Sequence, residues 1–272
     1  MNQDIKFSII TVVKNGMPFF YQTIESVLSQ SYENIEYIVI DGASTDGSTE
    51  LIKKYAKKRP SLIWRSESDS GIADAFNKGL SLATGDYFLF LNSDDMLADS
   101  NILSRIAKDI ASSHFPSVIY GDCELIDRYT SNSLYTASVK FSKNGMLQGK
   151  IFPHPSTFTA KRYFQKYGYF DPTYKIAMDY EFFLRGLEHE KIIHSSLLIS
   201  KVRNGGISTK NQQFVAGEII SALKKNGYLQ SYYQLNKLRT YFFIRRRARE
   251  LLQFLGFYEL LKFLRNKILS IS

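Results

Sequence analysis

The sequence predicts an α/β fold: a mostly parallel sheet flanked by helices, with a helical C-terminal extension. Three observations carry this. Strand and helix patterns alternate four times in the first hundred residues, which is how a parallel sheet covered by helices is built. Polar clusters follow the apolar strands directly, at the edge where such sheets bind ligands. From about residue 211 the apolar spacing reads as helical through to residue 272.

The elements follow in order. KFSIITVV (6–13) is rich in β-branched residues and reads as a buried strand, broken by Asn15-Gly16. Pro18 suits a first helical turn, and Ile24, Val27 and Leu28 supply that helix's apolar face. IEYIVI (35–40) is a second strand, and DGASTDGS after it is turn chemistry. A helix over 48–58 and a short strand over 62–65 come next. GIADAFNKGLSLA (71–83) places Ile72, Ala75, Phe76, Gly79, Leu80 and Ala83 on one helical face. Gly85 stops this helix, and 86–91 is the fourth strand. The middle of the chain is more mixed, with strands at 118–120, 134–139 and 192–200, a helix at 179–187 and a flexible Gly205-Gly206 loop.

Composition narrows the class. The 272 residues are 44% hydrophobic, enough for a packed core. The single cysteine, Cys123, allows no internal disulfide and favours a reducing compartment. Four scattered histidines give no zinc spacing. No signal peptide and no spanning helix is expected. The net charge of +9 is uneven, because 224–272 hold eleven Lys/Arg and two Asp/Glu. The first 223 residues are neutral, so a basic surface is expected only in the tail.

The chemistry concentrates in FLFLNSDDML (88–97), where a buried strand ends on two adjacent carboxylates, Asp94 and Asp95. Such a pair repels unless a cation or basic side chain lies between. A hard divalent cation, Mn²⁺ or Mg²⁺, takes one or two carboxylates plus substrate phosphates. The plain alternative is an acidic turn capping the next helix.

TVVKN (11–15), DGASTDGS (41–48), ESDSGIADAFNKG (67–79), GDYFLFLNSDD (85–95) and MDYEFFLR (178–185) occur in this order. Together they resemble the inverting family 2 glycosyltransferases of the GT-A (Rossmann-like) fold, above all the bacterial branch that builds surface polysaccharides. The resemblance spans about 5–208. It implies a catalytic domain over 1–210, with a nucleotide-sugar half to about 97 and an acceptor half beyond. Thr11 would contact the nucleotide through its main chain. Asp41 and Asp69 would line the base pocket, Asp69 also serving as a helix cap. Asn77 and Lys78 would reach the donor, against a plain Asp74–Lys78 helix pair. Asn92 stands where the family has the first Asp of its D-x-D motif. Asp94 would bind the metal, with Asp95 as second ligand or loop-orienting helper. Asp179 would be the general base, although Met178 replaces the first member of the family's acidic pair. His154, in FPHPSTF (152–158), would touch acceptor or diphosphate, or be structural. Arg203, Gly205, Gly206 and Ser208 resemble a mobile loop that closes over the donor.

The tail, 211–272, interleaves ten aromatics (228–263) with its basic residues. This suits a helix lying in a membrane interface, fitting a polyprenyl-linked acceptor and a peripheral location on the cytoplasmic face of the inner membrane. A helical hairpin packed on the catalytic domain is the alternative. Nucleic acid is not an expected partner, because no reader fold accompanies the charge. The leading function is thus metal-dependent, inverting sugar transfer from a UDP- or GDP-sugar to a glycan or lipid-linked saccharide. A sugar nucleotidyltransferase, and a non-catalytic membrane-binding relative, are the alternatives.

Overall fold

The computed structural model describes residues 5–207, 211–231, 236, 238–244, 247–248 and 251. Strand β1 (Phe7–Val13) is buried along its whole length. A strand covered on both faces has no polar side, which is why its sequence is a continuous apolar run rather than an alternation. It lies between β2 (Ile35–Asp41) and β4 (Tyr87–Asn92), parallel to both, and β3 (Leu62–Ser66) adds beyond β2. The register sets Val13 opposite Asp41 and Val12 opposite Asn92. The polar ends of these strands therefore share one edge.

Helices α1 (Phe20–Leu28), α2 (Ser48–Lys58) and α3 (Ile72–Leu82) make the crossovers. The first begins two residues later than expected: Pro18 lies in the turn before it, where Gly16 O accepts from the amides of Phe19 and Phe20 at 3.1 Å each. The last lies unusually close to the sheet. A Cβ on Gly79 would stand 2.4 Å from Ile10 Cγ2, so only glycine permits this contact.

The second half extends the same sheet. After the short β5 (Met96–Leu97) and α4 (Ile102–Ser112), β6 (Val118–Ile126) carries β7 (Ser133–Ala137) as a side branch. Then come α5 (Lys143–Leu147), a 3₁₀ turn at His154–Ser156, β8 (Thr157–Ala160), α6 (Lys161–Tyr167), α7 (Met178–Arg185) and β9 (Ile192–Arg203). The order across the sheet is β3-β2-β1-β4-β8-β6-β9-β5. Along this order β8 and the edge strand β5 break the parallel run, β8 pairing antiparallel with both β4 and β6, and the side branch β7 is antiparallel to β6. Neither β8 nor β5 has enough residues to show a period in sequence.

Each face of the sheet packs its own core. Ile9 and Val13 face one with Phe20, Ile24 and Ile106, and Ile10 and Val12 face the other with Phe76, Phe90 and Phe182. Helix α8 (Gln212–Lys225) belongs to the second core through Ile219, Ala222 and Leu223. The first helix of the C-terminal region is thus packed on the sheet domain, as are Leu238 and Phe242 further on.

Candidate active site

The carboxyl ends of β1, β4 and β9 and the start of α7 enclose a cleft of about 1180 Å³. This is where a parallel sheet offers unpaired main chain and loop side chains to a ligand. Of the residues singled out from sequence, Asp69, Asn92, Asp94, Asp95, His154, Asp179 and Arg203 line it.

The acidic corner is built by a tight turn. Asp95 N donates to Asn92 O at 3.1 Å, and Thr23 on α1 holds Ser93 O at 2.9 Å. Asp95 is 2% exposed, and its Oδ2 accepts from the Asn92 amide at 2.9 Å. Burial, reinforced by the neighbouring Asp94, pushes its carboxyl up to about 8. Asp94 is open to the cleft, and its Oδ2 pairs with Arg128 Nη1 at 3.0 Å. Arg203, at the end of β9, is buried and donates to Arg128 O at 2.7 Å, to Ser131 Oγ at 3.1 Å and to Gln22 Oε1. Its Nε is buried without a partner among the described residues. Both guanidiniums lie over the Phe19 ring, Arg203 at 4.4 Å and Arg128 at 5.0 Å from the centroid. Asn92 thus tethers the second carboxylate, while two arginines add positive charge beside the pair. Ser208, placed with Arg203 on a closing loop by the sequence, lies outside the described residues.

These residues fit a divalent cation that also binds substrate oxygen. The described residues hold no cluster of three or more His, Cys, Asp or Glu side chains able to cage a metal. Two adjacent carboxylates, one open to the cleft and one buried behind it, suit an ion that completes its shell on phosphates. Asp94 and Asp95 would hold it.

Of Thr11, Asp41, Asp69, Asn77 and Lys78, expected around the nucleotide and donor, Asp69 reaches the cleft. Its Oδ1 accepts from Gly71 N at 2.9 Å. Its other oxygen lies so close to Gly42 that a Cβ there would be 2.3 Å away. Asp41 does not line the cleft. Its carboxylate accepts from Ser44 N at 3.1 Å and from the hydroxyls of Thr49 and Ser66 at 2.7 Å each. Burial raises this acid, but those bonds bring it below the ordinary range, so it works to fix the turn after β2. Thr11 also misses the cleft. It lies two residues short of the strand end, with its hydroxyl accepting from Tyr37 at 3.2 Å and its main chain between Val39 and Leu91. Val12 to Met17 form the lip in its place.

Asn77 and Lys78 do not line the cleft. The Asn77 amide clasps one peptide, donating to Phe170 O at 2.8 Å and accepting from Phe170 N at 3.0 Å. Both its hydrogen-bonding ends are thereby engaged. Lys78 binds Ser68 O at 2.7 Å and pairs with Asp74 and Glu67 at 3.4 Å each, holding the loop before α3.

Across the cleft stands Asp179, on the first turn of α7, with Oδ1 accepting its neighbour Tyr180's amide at 2.8 Å. Burial raises its pKa, and His154, whose Nδ1 lies 3.7 Å from Oδ2, opposes the rise. His154 is fixed by ring contacts, stacked on Phe90 with centroids 5.5 Å apart. Burial lowers its own pKa, with Asp179 pulling the other way. Its Nε2 is buried without a hydrogen-bond partner among the described residues. Met178 is buried and adds no second acid.

Arg128, Gln22 and Phe19 were not legible as site residues. Arg128 sits in an ordinary-looking turn (IDRYTSN), and only the pairing of β6 with β9 carries that turn to Asp94.

A model of the family described as Glycosyl transferase family 2 matches residues 8–170. A PGL/p-HBAD biosynthesis glycosyltransferase of Mycobacterium tuberculosis is 28% identical over 188 residues, covering 69% of this chain and 72% of that one. Among solved structures, S. aureus TarS 1–349 in complex with UDP-GlcNAc superposes with a TM-score of 0.63 at 19% identity, covering 85% of this chain and 69% of that one. The mannosyltransferase PcManGT from Pyrobaculum calidifontis, in complex with GDP-Man and Mn²⁺, gives 0.60 at 17% identity, over 84% and 65%. The two structures share the α/β fold of this chain, and the extent of the family match settles the enzyme class. The chain belongs to glycosyl transferase family 2 and is a glycosyltransferase.

Proposed function

We propose that this enzyme is a metal-dependent inverting glycosyltransferase. It transfers a sugar from a UDP- or GDP-sugar to a hydroxyl of a glycan or lipid-linked saccharide during cell-surface polysaccharide synthesis. The observation that carries this is the division of one cleft between an acidic corner flanked by arginines and the half-buried carboxylate of Asp179 at the start of α7.

Asp179 takes the proton of the acceptor hydroxyl as its oxygen attacks the anomeric carbon. The bond from that carbon to the diphosphate oxygen breaks on the opposite face, so the configuration inverts. The sugar passes through positive charge on its ring, as in glycoside hydrolysis. Arg128 and Arg203 place positive charge where the diphosphate departs. Asp94 and Asp95 would hold a divalent cation, whose charge would further neutralise the leaving group. Asp69 orients the nucleotide end of the donor.

Nucleoside diphosphate binding tests the metal assignment. Ligand at about 100 times its Kd stabilises a protein by about 2.7 kcal/mol, so a thermal shift with UDP or GDP is readable. Mn²⁺ is expected to strengthen the shift in the wild type. Asp94→Asn should lose that gain while keeping the metal-free melting temperature. An equal Mn²⁺ gain in both proteins would remove Asp94 from the metal site.

We further propose that the tail meets a membrane surface at the cytoplasmic face. No helix among the described residues is long and apolar enough to cross a membrane. The support is the basic charge of 224–272, together with exposed Phe243, Ile244 and Leu251 in that region. Flotation of the full-length chain with anionic vesicles, but not with neutral ones, is expected. Replacing Arg245, Arg246, Arg247 and Arg249 by Gln should abolish it. Flotation unaffected by those changes would sink the electrostatic reading.

A further inference from the structure

We propose that Glu218, on α8, is a positioning residue for Asp179, clamping the start of α7 from the C-terminal region of the chain. The inference rests on the reading of Asp179 as general base. Main-chain amides taken out of water must find an acceptor. The segment that leads into α7 ends on Ala177, the cap residue, and has no side-chain cap of its own. Its three successive amides converge instead on one distant carboxylate. Lys175 N donates to Glu218 Oε1 at 2.5 Å, and Ile176 N and Ala177 N donate to Oε2 at 2.9 and 2.8 Å. Asp179 follows two residues later.

The choice of Glu is chemically specific. A carboxylate only accepts, and its charge strengthens bonds from main-chain amides. Glutamine at this place would turn an NH₂ group toward at least one of the three donors. The platform is firm, because Ile219, Ala222 and Leu223 of the same helix are in the core. Lys225, at its end, grips α7 a second time through Glu181 at 2.9 Å and also holds Asp171 at 2.7 Å. Val215 and Ile219 line the cleft itself. So α8 fixes both the rotation of α7 and the place of its first turn.

Charge enters as well. The titratable groups facing Asp179 are His154 from the 3₁₀ turn and Glu218 from α8. Burial holds the Asp179 pKa up, His154 pulls it down, and the negative charge of Glu218 adds a smaller upward push. Glu218 therefore keeps Asp179 in place and keeps it basic.

The test compares full-length wild type, Glu218→Gln, Glu218→Asp and Asp179→Asn. Turnover is followed as nucleoside diphosphate release from UDP- and GDP-sugars across pH, alongside nucleoside diphosphate binding and melting temperature. Glu218→Gln is expected to lower kcat by about ten- to a hundredfold, the loss that a misplacement of about 1 Å produces. It should leave nucleotide binding unchanged and move the acid limb of the kcat profile to lower pH. Glu218→Asp keeps the charge and should retain the wild-type limb. A slower Glu218→Gln with an unmoved limb would mean packing alone and overturn the proposal, as would wild-type turnover in that variant. Should Asp179→Asn itself stay active, the base assignment fails first. Should it be dead while Glu218→Gln is normal, only the role of Glu218 fails.

Discussion

Asp179→Asn is expected to bind UDP or GDP as the wild type does and to turn over at least about a hundredfold more slowly, general-base help being worth about 10²–10⁴. The two halves of the expectation come from where the residue sits. Nothing about Asp179 touches the acidic corner or the Asp69 loop, so the donor keeps its contacts. The amide cannot accept the acceptor's proton, so the attacking oxygen stays a weak nucleophile. The pH behaviour follows from burial, which raises the Asp179 pKa above the ordinary carboxylate range. The wild-type acid limb should therefore lie higher than an exposed aspartate would place it.

Stability should move the other way. A carboxyl whose folded pKa is raised favours the fold while protonated, and that advantage is lost as pH rises through the folded value. At neutral pH the fold thus carries the burden of a buried charge, and the neutral asparagine removes it. Asp179→Asn should melt no lower than wild type. An enzyme that loses turnover while holding or gaining stability is the signature of a residue kept for chemistry. A variant with near-normal turnover would rule out the base assignment.

The same contrast shows what could be read from sequence. The first four strands were legible because burial on both faces leaves an unbroken apolar run, and parallel pairing aligns their polar ends. The acidic corner was legible because its residues are adjacent in the chain. What was not legible was any contact made by a distant partner. Asn77 sits on the polar side of α3, and nothing local shows that Phe170, 93 positions away, takes both ends of its amide. Lys78 kept a purely local partner, Asp74, and the loop before it. Asp41 was claimed by its own turn, and Thr11 lies inside β1, two residues short of its end. Arg128 and Glu218 offered no local signal at all, since their partners lie 34 and 41 to 43 positions away.

Glu218 also bears on where the catalytic unit stops. The sequence places that boundary near 210, where the strands end and the basic helical pattern begins. A chain ending at residue 210 is expected to fail to fold, although every sheet strand is retained. It loses Ile219 and Leu223 from a core they share with Phe182 and Phe183. Burying two such side chains contributes about 3–6 kcal/mol, set against a total stability of about 5–15 kcal/mol for a typical domain. It also strands the amides of Lys175, Ile176 and Ala177, and leaves Glu181 without Lys225. A chain ending at residue 251 keeps α8 together with Leu238 and Phe242, and should unfold cooperatively near the wild-type temperature. Thermal unfolding of the two truncated chains beside the full-length protein separates the cases. A 210-residue chain that melts within a few degrees of wild type would show that α8 is an appendage, and would take the clamp on Asp179 down with it.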